Sequence, residues 1–184
     1  MRVFVALEIP DPVVLDALVA AQKELSDTGA DLRLVERQNL HFTVRFLGEI
    51  SEAQTAEADS RLRSLSLKGA EVELRGLGAF PSAGRPSVLW AGVAPGHDGR
   101  VAPIAQEIIG ALGSIGHRDD RPFRAHLTLA RVRSGRNGQA LASFLLANDS
   151  RSFGIVRVSS LKLKASNLTP RGPVYTDVGV YSLG

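Results

Sequence analysis

The sequence contains no cysteine among its 184 residues. A disulfide-stapled scaffold, a zinc site built on thiolates and a cysteine nucleophile are therefore excluded. Long apolar runs are missing as well. The first one, residues 3–7, is too short for the core of a signal peptide and is followed by Glu8 and Pro10, and no stretch approaches a membrane span. These absences predict a cytoplasmic protein without a membrane partner.

Two further kinds of site have no support in the sequence. The segment Gly76-Leu77-Gly78 lacks the additional glycine and the lysine of a nucleotide-binding phosphate loop. Carboxylates do not stand at ligand spacing near His41 or His126, so a metal centre is not indicated there. We therefore expect no metal and no cofactor.

Arginine, in contrast, is abundant. The chain has 22 lysines and arginines, of which 18 are arginines, against 19 acidic residues, giving a net charge of +3. Because arginine binds phosphate bidentately and stacks on bases, this composition favours a phosphate or nucleic-acid ligand. Arginine-rich codon usage would give the same composition without any ligand.

Hydrophobic periodicity predicts strands alternating with helices, an α+β fold. Residues 3–9 form an apolar strand, Asp11-Pro12 begins a helix that ends near Gly29, and Ser51 opens a second helix running to about residue 67. The remaining predicted elements are strands at 32–35, 41–46, 71–77, 87–93, 126–129, 153–163 and 174–181 and helices at 101–115 and 141–146.

The order of elements repeats at an offset of 85 residues. This offset carries His41 onto His126 and Thr43 onto Thr128. A repeat of this length is not a solenoid period and instead predicts two similar lobes. No low-complexity linker separates them, so residues 1–184 are expected to be a single bilobal domain.

Each H-x-T segment alternates polar and apolar residues, which places imidazole and hydroxyl on one face of a strand. A single copy indicates no more than a polar sheet face. Two copies in equivalent positions can line one cleft, with one ring neutral and the other charged near neutral pH. The neutral ring then takes a proton from water, the charged ring gives one to a leaving oxygen, and Thr43 and Thr128 bind the phosphate oxygens.

Several segments together resemble the two-histidine (2H) phosphoesterase superfamily, in particular its bacterial and archaeal RNA 2′,3′-cyclic phosphodiesterases, also described as RNA 2′-5′ ligases. The two signature motifs correspond to residues 41–48 and 121–131. The resemblance also covers residues 2–6, 76–81, 88–90 and 168–175. Phe42 and Ala125 depart from the usual leucine and proline, at positions expected to point away from the cleft.

This resemblance implies a bilobal, pseudo-twofold α+β fold, with antiparallel sheets lining a central cleft and helices packed outside. It also implies metal-independent hydrolysis of RNA 2′,3′-cyclic phosphate ends to 2′-phosphates. The residues carried over are His41 and His126 as catalytic groups and Thr43 and Thr128 as phosphate-binding groups. We assign His126 as the base and His41 as the acid.

Three further residues are predicted to bind substrate. Arg131 follows the second motif where the family often has arginine, although strict alternation turns it away from His126 unless a bulge intervenes. Arg45 shares a face with His41 and Thr43 in that alternation and could reach the RNA backbone. Trp90 could stack on a base. Solvated charges for the arginines and a core position for the tryptophan are the competing interpretations.

Other activities of the same site remain open at this level. They are 2′-5′ RNA ligation by the reverse reaction, hydrolysis of small cyclic nucleotides, and binding of RNA ends without catalysis. The expected partner is RNA with a 2′,3′-cyclic phosphate end, such as a tRNA fragment, and a monomer is expected.

Overall fold

The computed structural model describes residues 1–184, which form nine strands, four α-helices and one short 3₁₀ helix. In chain order these are β1 (Arg2–Glu8), α1 (Pro12–Asp27), β2 (Leu32–Leu34), the 3₁₀ helix (Arg37–Asn39), β3 (His41–Glu49), α2 (Glu52–Arg63), β4 (Ala70–Ser82), β5 (Arg85–Val93), α3 (Asp98–Leu112), β6 (Leu127–Val132), α4 (Gly138–Ala147), β7 (Ser152–Val158), β8 (Ser160–Thr169) and β9 (Gly172–Ser182).

The first two helices begin where their capping residues predict. The Asp11 carboxylate accepts a hydrogen bond from Val13 N at 2.8 Å, and Pro12 occupies the first helical position. Ser51 and Gln54 form a capping box at the start of α2. That helix ends at Arg63 rather than near residue 67, because Ser64 is its C-cap. The single strand predicted over residues 153–163 is two strands, β7 and β8.

All nine strands belong to one antiparallel sheet. Its strand order is β7-β4-β5-β6-β3-β1-β8-β9, with β2 paired to β6. This order has a midpoint at the junction of β6 and β3. The strands on one side of the junction, β6-β5-β4-β7, and those on the other side, β3-β1-β8-β9, form two equivalent half-sheets. The half-sheets are joined by a single bridging pair, Phe42 and Leu127. The expected α+β architecture with two related lobes is thereby confirmed.

The two repeats exchange strands. The first repeat contributes β1, β3 and β4, but β4 pairs with β5 and β7 of the second half-sheet. The second repeat contributes β5, β6 and β8, and β8 pairs with β1 of the first half-sheet. Each half-sheet is consequently built from both repeats.

The hydrophobic core lies on one face of the sheet. A cluster of 43 buried residues joins the apolar stripes of the helices to alternate strand positions such as Val5, Phe42 and Leu127. Phe4 and Ala6 are also buried but lie outside this cluster, because alternation turns them to the opposite face. That opposite face, which we call the cleft face, carries the two H-x-T motifs.

None of the helices has the length and the apolar composition needed to cross a lipid bilayer.

Candidate active site

The centre of the cleft face is formed by the residues that flank the Phe42–Leu127 bridge. Because β3 and β6 run antiparallel, His41 lies on the side of Thr128 and Thr43 on the side of His126. Phe42 and Leu127 are fully buried, whereas all four flanking residues are half-buried. The fold therefore brings together the two pairs that the sequence places 85 residues apart, with their side chains on one accessible surface.

A bulge interrupts each of these two strands at the same point. In β3, Val5 pairs with Arg45 and Ala6 with Thr43, which leaves Val44 as the extra residue. In β6, Leu89 pairs with Ala130 and Trp90 with Thr128, which leaves Leu129 as the extra residue. The two extra residues follow their threonines directly, so each bulge reverses the alternation after the motif.

His41 lies in a largely apolar and positively charged environment. Its ring packs on Phe4 with 5.5 Å between ring centroids, and its Nδ1 is buried without a hydrogen-bond partner. Burial, with a smaller contribution from the charges of Lys164 and Lys162, lowers the pKa of His41 to about 4. In the unliganded protein this ring is neutral at neutral pH.

His126 is held more firmly. Its Nδ1 lies 2.8 Å from the carbonyl oxygen of Arg124. A carbonyl only accepts, so Nδ1 carries the hydrogen and Nε2 is left free to take a proton. The ring packs edge-on against Phe80 at 5.0 Å. Burial lowers the pKa of His126, and the bond to Arg124 offsets part of that shift.

Two lysines that the sequence analysis did not single out lie close to His41. Lys162 and Lys164 pair in register with Ala6 and Phe4 and therefore share the cleft face. Lys162 forms an ion pair with Asp177 at 2.8 Å, while Lys164 bridges Asp177 at 3.2 Å and Glu8 at 3.5 Å. The signal was present in the sequence, because both lysines alternate with buried apolar residues in β8.

Trp90 lies beside the second motif. It pairs in register with Thr128, so it corresponds to Ala6, the partner of Thr43, and not to Val5 as the offset of 85 predicts. Its ring covers Gly78, where a Cβ would come within 2.3 Å of ring atoms. Trp90, Phe80 and His126 line a cavity of about 490 Å³. The indole is half-buried at the wall of this cavity, rather than inside the core.

Arg131 is turned to the cleft face by the bulge at Leu129. The residues on either side of the bulge show this, because Leu129 and Ala130 are both fully buried and Arg131 is exposed. Strict alternation would turn Arg131 away from His126, and the bulge that reverses this orientation is present between the motif and the arginine.

Comparison with known proteins agrees with this geometry. The sequence model of the family described as LigT like Phosphoesterase matches residues 9–90 and again residues 93–175. This chain belongs to the LigT-like phosphoesterase family.

Similar proteins of this family cover nearly the whole chain. A protein of Archaeoglobus fulgidus named RNA 2′,3′-cyclic phosphodiesterase is 36% identical over 98% of this chain and 99% of its own length. One of the same name from Aeropyrum pernix is 41% identical over 86% of this chain and 90% of its own. A solved Thermus thermophilus structure superposes with a TM-score of 0.77 at 30% identity, covering 100% of this chain and 98% of that one.

Escherichia coli LigT, solved in complex with 3′-AMP, shares the fold with a TM-score of 0.79 at 20% identity, over 99% of this chain and 97% of that one. The family model matches the chain twice in succession, and each match contains one H-x-T motif.

The prediction for Arg45 is wrong for this LigT-like chain. The bulge at Val44 turns Arg45 into the core, where it is 6% exposed. Its guanidinium donates hydrogen bonds to the carbonyl oxygens of Gly113 at 3.0 Å and Ile115 at 3.1 Å, and to those of Ile109 and His117. Arg45 thus satisfies carbonyls at the C-terminal end of α3, where a positive charge is favourable.

The same bulge turns Phe46 out of the core. Strict alternation places Phe46 in the core with Phe42 and Val44, yet it is 56% exposed. It lies on the cleft face against Phe4, with 5.8 Å between ring centroids. Phe46 is the counterpart of Arg131 in the other half-sheet.

No group of three or more histidine, cysteine, aspartate or glutamate side chains is arranged to hold a metal ion. Whether the family chemistry proceeds here without metal stays a prediction for a chelator experiment.

Proposed function

We propose that this chain is an RNA 2′,3′-cyclic phosphodiesterase that converts cyclic phosphate ends to 2′-phosphates. The observation that carries the proposal is the pair of H-x-T motifs flanking a single bridging pair on the cleft face. It is supported by membership of the LigT-like family and by relatives of that name over nearly the full chain.

In the proposed reaction the cyclic phosphate lies between the two motifs. A water oxygen attacks phosphorus while His126 takes the water proton, and the bond from phosphorus to the 3′-oxygen breaks. His41 gives its proton to that oxygen, which leaves a 3′-hydroxyl and a 2′-phosphate. The hydroxyls of Thr43 and Thr128 donate hydrogen bonds to the non-bridging oxygens, where charge accumulates in the transition state.

Two observations bear on the assignment of the histidines. The bond from His126 Nδ1 to Arg124 fixes the tautomer with a free Nε2, which suits a base. His41 is neutral in the unliganded protein, so it acquires its proton together with the substrate, whose negative charge opposes the effect of Lys162 and Lys164. A proton taken up under these conditions is readily given away, which suits an acid.

Substrate contacts are proposed for Trp90 and Arg131. The cavity beside His126 has aromatic walls on Phe80 and Trp90, and a base stacked there would be adjacent to the phosphate position. Arg131 extends from the cleft face three residues after Thr128 and has no acidic partner.

The proposal includes the setting of the reaction. We expect a monomer in the cytoplasm that acts on RNA fragments, tRNA fragments among them, as one domain over residues 1–184. A single cooperative unfolding transition checks the single domain, and the mass in solution checks the monomer. Ligation, hydrolysis of small cyclic nucleotides and binding without catalysis stay alternatives, since the same groups would serve each of them.

The decisive experiment uses a short labelled RNA ending in a 2′,3′-cyclic phosphate, incubated with the protein in EDTA. Conversion to a 2′-phosphate, lost in His41→Ala and His126→Ala, is the expected result. His117→Ala is the matched control, because His117 is exposed and lies outside the site. Binding without turnover would reject the hydrolase. A 3′-phosphate product would mean that the 2′-oxygen leaves instead of the 3′-oxygen.

A further inference from the structure

Two aromatic side chains lie exposed on the cleft face, in the half that contains His41. The chain has seven phenylalanines, two tyrosines and one tryptophan. Among these only Phe46 and Tyr175 are exposed, with exposed fractions of 56% and 37%. Because the removal of apolar surface from water is favourable, two rings left open together beside an active site indicate a surface that a ligand covers.

Both rings pack on the same buried side chain. Phe4 is 5% exposed, and its ring centroid lies 5.8 Å from that of Phe46 and 5.5 Å, edge-on, from that of Tyr175. Tyr175 belongs to β9 and reaches Phe4 of β1 across β8, where its register partner is the small Ser166. We call Phe46 and Tyr175, with Phe4 beneath them, the second platform. Its rings are held in place by Phe4, which also contacts His41.

The second platform stands about one nucleoside away from the proposed position of the cyclic phosphate. Phe46 follows Thr43 by three residues with the bulge at Val44 between them, which corresponds to roughly 7–10 Å along the strand. A ribose separates a nucleobase from its phosphate by a similar span. A base stacked on Phe46 and Tyr175 would therefore leave its phosphate at Thr43.

The direction of the proposed reaction decides which base lies there. In a displacement at phosphorus, the attacking and leaving oxygens lie roughly in line on opposite sides of the phosphorus atom. Since His126 activates the water and His41 protonates the 3′-oxygen, the ribose that carries this oxygen lies on the His41 side. Its base is then on the side of Phe46 and Tyr175, whereas Trp90 lies on the side of the attacking water.

We infer that the second platform binds the base of the terminal nucleotide, the one that carries the cyclic phosphate. This inference rests on the proposed function and adds a specificity element to it. Stacking needs only the face of a base, so the platform accepts all four bases but discriminates against an end whose terminal ribose has lost its base. The cavity at Trp90 is left for another base of the strand.

The test compares two dinucleotide 2′,3′-cyclic phosphates that differ only at the terminal nucleotide. One carries a base there, and the other an abasic ribose with hydrogen at C1′. For the wild-type protein, we expect kcat/KM to be about tenfold higher for the substrate with the base, the scale of one base stacked on aromatic rings. Phe46→Ala should bring this ratio close to one, and Tyr175→Ala should reduce it.

Leu146→Ala is the matched control. Leu146 is 64% exposed on helix α4, and its replacement removes an exposed apolar side chain outside the cleft. Its ratio should equal that of the wild type. Trp90→Ala should also retain the wild-type ratio, because the terminal base does not lie in that cavity.

Three outcomes overturn the inference: a wild-type ratio near one, an unchanged ratio in both Phe46→Ala and Tyr175→Ala, or loss of the ratio in Trp90→Ala. The last would place the terminal base in the cavity beside His126. If the wild type turns over neither substrate, the proposed function fails. The affinities of the two dinucleotides, measured by calorimetry, then decide on the second platform by the same ratio.

Discussion

The two halves of the cleft share a backbone but differ in chemistry. Strand register makes Ala6 equivalent to Trp90, Lys162 to Gly78 and Lys164 to Phe80. The half around His41 therefore has lysines and their carboxylate partners beside the rings of Phe4 and Phe46. The half around His126 has the rings of Phe80 and Trp90 and a cavity at the corresponding positions.

This difference shows what a duplicated scaffold keeps and what it changes. The H-x-T pairs and the bulges that follow them occur in both halves, because they fix the positions of the reacting groups. The neighbouring positions have diverged, so the two histidines differ in charge environment and in hydrogen bonding. A pseudo-symmetric site can thereby bind an asymmetric substrate in a single orientation.

The largest expected effect concerns the histidines themselves. His41→Ala and His126→Ala should each reduce kcat by roughly 10²–10⁴-fold, the range of general acid–base catalysis. A substrate whose leaving 3′-oxygen is replaced by sulfur needs no acid, because a thiolate leaves readily. Rates with this substrate should recover in His41→Ala but not in His126→Ala. Recovery in His126→Ala instead would make His126 the acid and His41 the base.

A second prediction concerns Arg45, whose counterpart in the other half-sheet is Ala130. Both positions are buried, but only Arg45 carries a charge, which binds carbonyls beyond α3. Arg45→Met should lower the free energy of unfolding by about 2–4 kcal/mol, because those carbonyls lose their donor. Denaturant titration gives the value.

Arg61→Met is the control for that substitution. Arg61 also donates to α3 carbonyls, from Nη1 to Ala111 at 3.1 Å, but its side chain is 40% exposed. Water replaces its bonds, so a loss below about 1 kcal/mol is expected. Equal losses in both variants would contradict the structural role given to Arg45.

The aromatic half is tested at Trp90. Trp90→Ala should raise KM for an oligonucleotide by about tenfold, the scale of one base stacked on an aromatic ring, whereas Trp90→Phe should retain most of the affinity. If Trp90→Ala lowers the unfolding midpoint and leaves KM unchanged, the ring serves the packing over Gly78 rather than the base.

The smallest effect concerns the charge of the lysine half. Lys162 contributes to the low pKa of His41, so Lys162→Met should raise that pKa from about 4 by a fraction of a unit. Titration of the imidazole signals by NMR measures this shift, and the His126 signal serves as an internal control. A shift at His126 alone would contradict the placement of Lys162.

The same pKa has a consequence for stability. A folded-state pKa near 4, below the ordinary 6.5, means that the unfolded chain binds a proton more readily between these two pH values. Stability is therefore lost as the pH falls from 6.5 towards 4, and Lys162→Met should weaken this loss.

The sequence predicted the parts of the site that depend on local alternation. His41, Thr43, His126 and Thr128 were placed on two strand faces by period-two patterning, and their common surface followed from the repeat. Arg45 was misplaced because a bulge changes the register without a change in composition. Lys162 and Lys164 enter the first half-sheet from a strand about 120 residues beyond His41, a pairing that local patterns do not specify.

The exchange of strands between the repeats has a consequence for synthesis of the chain. β1 is flanked by β3 and β8, and β8 begins only at Ser160. Until that residue has left the ribosome, one edge of β1 has no partner, and an open edge invites pairing with other chains. The amino-terminal repeat therefore cannot complete its folding before the rest of the chain is made. A prematurely terminated chain would lack a working half of the cleft and would expose an aggregation-prone strand.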